Sequence, residues 1–293
     1  MIAEKGLRHR IKTRLLFTGP TTFIFTTVVL IPFLYGIFLT FTDWDGIATS
    51  YNFVNFDNYA TVFQDTAFWQ SFARTLKYVF SSVIFINVVA FSLAYILTRR
   101  RKSNIYRTGF FLPNLVGGIV LGFIWQFIFN HMIVNAGKYF GISLFESTWL
   151  ADPDRALWAL VIVTVWQYAG YMMVIYISGL MNVPKDVMEA AEIDGAIGWR
   201  RMKNVVLPLM VPAFSVCIFL SLQRAFLVYE VNLSLTSGGP FKSTELVSMF
   251  IYNKAFLARD YGVGQAEAFV LFIIVAIITL LQVYFTKKME VES

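Results

Sequence analysis

Six stretches of this chain, 15–42, 78–98, 108–137, 156–184, 204–223 and 268–286, contain no charged residue. Each reaches about 18 residues or more, close to the length a helix needs to cross a bilayer. Inside lipid a backbone must satisfy its own polar groups, and a helix does so within one segment. The pattern therefore predicts an all-α membrane protein with six transmembrane helices. Composition agrees: of 293 residues, 57% are hydrophobic and 14% charged, against about 25% charged in a soluble domain.

Charge between the runs sets orientation. Lys5, Arg8, Arg10, Lys12 and Arg14 precede the first run. Arg99, Arg100, Arg101, Lys102 and Arg107 lie between the second and third, and Lys185, Arg200, Arg201 and Lys203 between the fourth and fifth. With Lys287 and Lys288 these alternate segments hold 16 basic residues, against 7 on the other side. Basic residues are retained in the cytoplasm, so both termini are expected there. The net charge of +6 thus speaks for orientation and not for nucleic acid. The basic start and apolar run resemble a secretion signal, but the run is too long and no small-x-small cleavage site follows. An uncleaved first span is expected.

The connection 184–212 reads PKDVMEAAEIDGAIGWRRMKNVVLPLMVP. Pro184 suits the first position of a helix, and Asp186 and Glu189 suit its positive end. Gly195 can take the left-handed conformation that ends a helix. Arg200, Arg201 and Lys203 follow, and Pro208 and Pro212 enter the next run. A short helix, a glycine corner and a second short helix make a shaped knob.

The spans carry little charge. Gly117, Gly118 and Gly122 in the third invite close helix packing. Gln167, Tyr168, Gly170 and Tyr171 make the fourth polar at membrane depth, where such groups face protein or a water-filled path. In the fifth, Gln223, Phe226, Leu227 and Glu230 follow i, i+3, i+4, i+7 and are expected on one helix face. Arg224 beside them either snorkels outward or pairs with Glu230, or it lines a path. The outer connection 43–77 carries Asp43, Asp45, Asp57 and Asp65 among aromatics that suit a membrane interface. LTSGGP (235–240) reads as a turn. Beyond it Leu246, Val247, Phe250, Ile251 and Leu257 suggest an amphipathic helix at the outer surface.

Several chemistries are missing. No GxxxxGK[ST] phosphate loop, HExxH or Cys/His cluster occurs, so neither a nucleotide site, a metal site nor a cofactor is expected. His9 and His131 fall on opposite sides of the membrane, and Cys217 lies alone in an apolar run. No span has a carboxylate in its middle third, which counts against a proton-driven carrier but not against a sodium-coupled one. A polar-lined membrane protein with a cytoplasmic knob and no energy source calls for a partner.

The knob carries a spaced pattern. Glu189-Ala190-Ala191, three residues, Gly195, nine residues, Val205, one residue and Leu207-Pro208 resemble the EAA loop of importer permeases in the ATP-binding cassette superfamily, with Val205 for the usual Ile. EIDGA (192–196), FDNY (56–59), Phe68-Trp69, FLP (111–113), LTSGGP, IYNKAF (251–256) and YGVGQA (261–266) extend the likeness over almost the whole chain. It resembles the maltose-type sugar permeases of the class with a GGP turn. The resemblance implies a type I importer permease fold in a bacterial inner membrane. It divides the chain into an N-terminal segment and first span (1–71), a five-helix core (72–283, with a coupling loop at 184–208) and a cytoplasmic tail (284–293). It implies four kinds of partner besides membrane lipid: a second homologous permease, two cytoplasmic ATP-binding subunits, an extracytoplasmic solute-binding protein and a sugar.

By the same resemblance, Glu189, Ala190, Ala191, Asp194, Gly195, Leu207 and Pro208 would couple to the ATPase. Neutral hydroxyl-rich substrates need aromatic faces and neutral hydrogen-bonding groups. Asn114, Gln126, Gln167, Tyr171, Gln223 and Tyr229 supply them, with Arg224 and Glu230 alongside. Tyr229-Glu230 stands where the family commonly has Phe-Asp. Relatives also handle glycerol-3-phosphate, and two further readings stay open: a stand-alone carrier and a sensor subunit.

Overall fold

A computed structural model describes residues 7–98 and 103–289, with side chains over 16–98 and 104–289. The basic run 99–102, the residues before Leu7 and the side chain of His9 fall outside it. Among the described residues no β-strand forms, and a single antiparallel bridge joins Thr42 to Phe53. Among the described residues five helices are long and apolar enough to cross a membrane: Leu16–Leu39, Thr66–Thr98, Gly118–Phe140, Pro153–Met181 and Tyr261–Lys288. A sixth span forms if Gly198–Leu209 and Val211–Phe226 count as one, and they meet at 70°. In chain order that bent pair is the fifth span.

The helices depart from the uncharged runs where prolines and buried charges intervene. The second begins at Thr66, well before position 78, because its early cation is accommodated: Arg74 Nε donates to the Glu245 carbonyl at 3.3 Å. The third run is not one helix. Ser103–Phe111 gives way to a 3₁₀ turn, Leu112–Leu115, and Val116 and Gly117 are extended before Gly118 restarts the helix. Pro113, without an N–H, lies in the turn that closes the first piece. In the fifth span Pro208 and Pro212 flank Met210, whose φ of −93° and ψ of 0° make the bend.

One compact unit comprises residues 66–250 and 271–293. The second and fourth spans pack along their length. Ile86, Ala90, Ala94 and Leu97 from one meet Ala169, Met172, Met173, Tyr176 and Ile177 from the other. Met202, Val206, Met210 and Cys217 complete this core. Lipid tails are as apolar as leucine, so such a core is held by close packing and by hydrogen bonds, not by expulsion of water. The bonds are present. Tyr78 and Thr164 hydroxyls meet at 2.7 Å. Tyr176 donates to Asn87 Oδ1 at 2.6 Å, and Asn87 Nδ2 donates to Ser221 Oγ at 3.0 Å. Three spans are thereby tied together.

At the far end of this unit the GGP turn forms as expected, with Ser237, Gly238, Phe241 and Lys242 all at positive φ. Buried Asn232 and Thr244 hold it, Asn232 Nδ2 donating to the Thr244 carbonyl at 2.8 Å. The helix beyond the turn, Val247–Tyr252, does not lay its apolar face on an outer surface. Leu246 and Val247 are wholly buried, and the Val247 N–H donates to Thr75 Oγ1 at 2.8 Å. Leu257, farther on, is exposed.

The second unit comprises residues 1–65 and 251–270. Its first span, Leu16–Leu39, leaves most of its apolar surface uncovered, and its Gly36 abuts Gln265. Asn58 Nδ2 donates to the carbonyls of Thr40 and Thr42. Asp43 accepts from the Asn52 backbone and side chain, and Asp45 from the N–H groups of Ala48 and Ile47. Donation from the Asn52 side chain, then from its backbone, holds Asp43 below the usual carboxylate range; the Ala48 and Ile47 amides do the same for Asp45.

Candidate coupling loop and substrate cavity

The knob forms as its sequence dictates. Lys185–Ile193 is helical, with Pro184 one position earlier than expected, at the cap. Gly195 has φ +73°. Its N–H reaches the Glu192 carbonyl at 3.1 Å, and the Ala196 N–H reaches the Ala191 carbonyl at 2.8 Å. These are the two bonds of a Schellman termination. A second helix, Gly198–Arg201, follows, and Arg201 reaches back to Glu192 at 3.4 Å.

The expected coupling residues divide by face. Ala191 is 8% exposed and turns inward, whereas Ala190, Asp194 and Gly195 are exposed, and Glu189, also exposed, borders a hollow beneath the loop. Leu207 and Pro208 are half-buried at the root. Sequence reasoning missed the apolar tips: Ile193 is 87% exposed, Trp199 73% and Ile197 68%. Three large apolar side chains are thus held outward on one short loop. A signal existed, since these residues interrupt a charged loop with no helical period. Behind the tips, Met202, Val206 and Met210 anchor the loop in the core of the second and fourth spans. A hollow of about 520 Å³ lies under the loop, lined in part by Tyr95, Met181, Lys185, Met188 and Arg201.

The fifth span ends at Phe226, and Glu230 starts a separate helix, Glu230–Leu235. Glu230 is therefore not on one continuous face with Gln223 and Phe226, as the spacing suggested. The charges suit the break: Arg224 lies in the last turn of one helix and Glu230 in the first turn of the next, each at the dipole end that favours it. The third span packs tightly on the new helix. A Cβ at Gly118 would meet Glu230 at 2.7 Å, and one at Gly122 would collide with Ser234.

A cavity of about 530 Å³ opens at the break. Of the expected path residues, Gln167, Gln223, Arg224, Tyr229 and Glu230 line it, joined by Tyr168 and Gly118. Gln167 donates to the Val116 carbonyl at 3.2 Å, and its buried Oε1 has no partner. Arg224 and Glu230 form no ion pair with each other. The guanidinium instead lies over the Tyr168 ring at 4.7 Å and the Tyr171 ring at 5.4 Å. Three expected path residues, Tyr171, Gln126 and Asn114, are not among the lining residues. Tyr171 packs against Phe111, ring centroids 6.3 Å apart, and under the Arg224 guanidinium. Gln126 donates to the Leu235 carbonyl at 3.3 Å and so joins two helices. Asn114 is half-buried in the 3₁₀ turn, its Oδ1 without a partner.

Residues 86–291 match the family described as the binding-protein-dependent transport system inner membrane component. The chain belongs to this family. It is 44% identical, over 278 residues and 94% of each chain, to the probable starch degradation products transport permease AmyD of Thermoanaerobacterium thermosulfurigenes. It is 31% identical to the multiple sugar-binding transport permease MsmF of Streptococcus mutans, over 89% of this chain and 90% of that one. A solved bacterial transporter involved in alginate import contains a chain of the same fold, with a TM-score of 0.81 at 20% identity over 96% and 98% of the two chains. The permease fold, the helical spans and the placement in an inner membrane follow from membership. A catalytic role does not, because such a component conducts and does not hydrolyse.

Proposed function

We propose that this permease is one transmembrane subunit of an ATP-driven importer of di- or oligosaccharides. It forms half of the translocation path beside a second permease. An extracytoplasmic binding protein delivers the sugar, and two cytoplasmic ATPase subunits supply the stroke. The substrate class rests on the relatives that carry starch breakdown products and multiple sugars. The observation that carries the coupling role is the preformed loop at 184–208, whose exposed Ile193, Ile197 and Trp199 stand on a base fixed in the core. Its glycine corner is built by hydrogen bonds within the loop, so the shape precedes any partner.

ATP binding would draw the ATPase pair together and carry the loop with it. Rigid-body rotation would then switch the cavity between sides. The broken fifth span supports the choice of cavity, since discontinuous helices build substrate sites in transporters. Ring faces and neutral amides suit a sugar, and Glu230 beside Arg224 disfavours a phosphate. Both termini, the loop at 184–208 and the basic segments are assigned to the cytoplasm.

The test is reconstitution in proteoliposomes with the second permease, the ATPase and the binding protein. ATP-dependent sugar uptake is expected, and Glu189→Lys abolishes it in protein that still inserts. Uptake by the purified chain alone would overturn the reading in favour of a stand-alone carrier.

A further inference from the structure

We propose that the Arg224 guanidinium covers the substrate platform when the cavity is empty, and that sugar displaces it toward Glu230. This rests on the carbohydrate reading above. Tyrosine faces are the surfaces on which the apolar face of a sugar ring stacks. Here Tyr168 lines the cavity, with Tyr171 one turn farther on the same span. Both rings are already taken. Arg224 lies 4.7 Å and 5.4 Å from their centroids, inside the range of cation–π attraction. Non-bonded atoms pack at about 3.5–4 Å, so no second layer fits between the guanidinium and the rings.

The arrangement is one that can exchange. No carboxylate pairs with Arg224 among the described residues, and Glu230 is likewise in no ion pair although it lines the same cavity. A structural arginine is normally committed to a bidentate carboxylate. This one is held by ring faces alone, a weaker bond for a planar fork that keeps its N–H edges free. The arginine and its alternative partner flank the break at residues 227–229. Displacement would pull Arg224 toward Glu230 across that break. Occupancy of the cavity would thereby alter the join between the fifth span and the helix Glu230–Leu235.

The experiment uses the assembled importer in proteoliposomes. With Arg224→Gln the half-saturating sugar concentration is expected to fall about tenfold, the combined worth of two cation–π contacts that sugar no longer has to break. With Glu230→Gln it rises, because the displaced cation loses its acceptor. An unchanged or weakened affinity in Arg224→Gln overturns the proposal and makes the arginine a bystander or a direct sugar ligand. A second measurement needs no sugar. Hydroxyl-radical footprinting, read by mass spectrometry at Tyr168 and Tyr171, compares the wild type with Arg224→Gln and leaves both rings in place. Oxidation about fivefold faster in Arg224→Gln is expected for rings that Arg224 covers. Equal rates overturn the cover whatever the substrate is. Faster oxidation in Arg224→Gln, with no sugar taken up by the wild-type assembly, would overturn the carbohydrate reading and leave the cover standing.

Discussion

Gly195 holds a φ of +73° in open space, with no atom within 4 Å of where a Cβ would stand. Only backbone conformation therefore demands glycine there. Gly195→Ala should lower stability by about 1 kcal/mol and leave uptake measurable. Gly195→Pro should abolish coupled uptake, since it forces φ negative and deletes the N–H that bonds to Glu192. ATPase stimulation by liganded binding protein in the assembled importer distinguishes the two. Trp199 answers differently. An exposed aromatic anchor is typically worth about 2 kcal/mol at an interface, so Trp199→Ser should weaken ATPase association about thirtyfold, read by co-purification at graded concentrations. Gly195 was legible in the sequence because a motif fixes its spacing. Ile193, Ile197 and Trp199 were not, because which side of a short loop faces out depends on where the core lies.

Among the elements, the third span and the helix Glu230–Leu235 lie as close as glycine allows. Gly122→Val should cost about 1–3 kcal/mol through overpacking and lower the unfolding temperature in detergent. Gly109→Val, with nothing within 4 Å of its Cβ, should not. The loop around Asp43 and Asp45 gives a pH-dependent counterpart. Asp43 and Asp45 have depressed pKa values. Their contribution is complete above the unfolded value, about 3.9, and is lost as pH falls through the lower folded one. Hydrogen exchange at the Ile47, Ala48 and Asn52 amides should therefore keep its protection down to about pH 4 and lose it below. Runs without charge marked where spans lie but not where helices break. Pro113, Pro208 and Pro212 were visible from the start. Whether each starts, ends or bends a helix is decided by the neighbours that take up the freed carbonyls.

For the whole molecule, the charge asymmetry predicts that both termini and the loop at 184–208 share one side, with the GGP turn on the other. Impermeant labelling of single cysteines at Lys12, Trp199, Lys242 and Lys288 in sealed inside-out vesicles should modify all but the one at 242. The fold class was readable because lipid permits so few backbones. The cavity was readable only in part: Gln167, Gln223, Arg224, Tyr229 and Glu230 converge, but Gln126 turns to join two helices. The bend at Met210 has a mechanical consequence. Val211–Phe226 is a straight arm of 16 residues, about 24 Å long. Its base adjoins the Met202–Val206 anchor of the loop, and Arg224 rides near its tip. A swing of about 10° at the base would sweep the tip by about 4 Å. That gearing would turn a small tilt of the loop into a displacement as large as the gap between the arginine and its tyrosines.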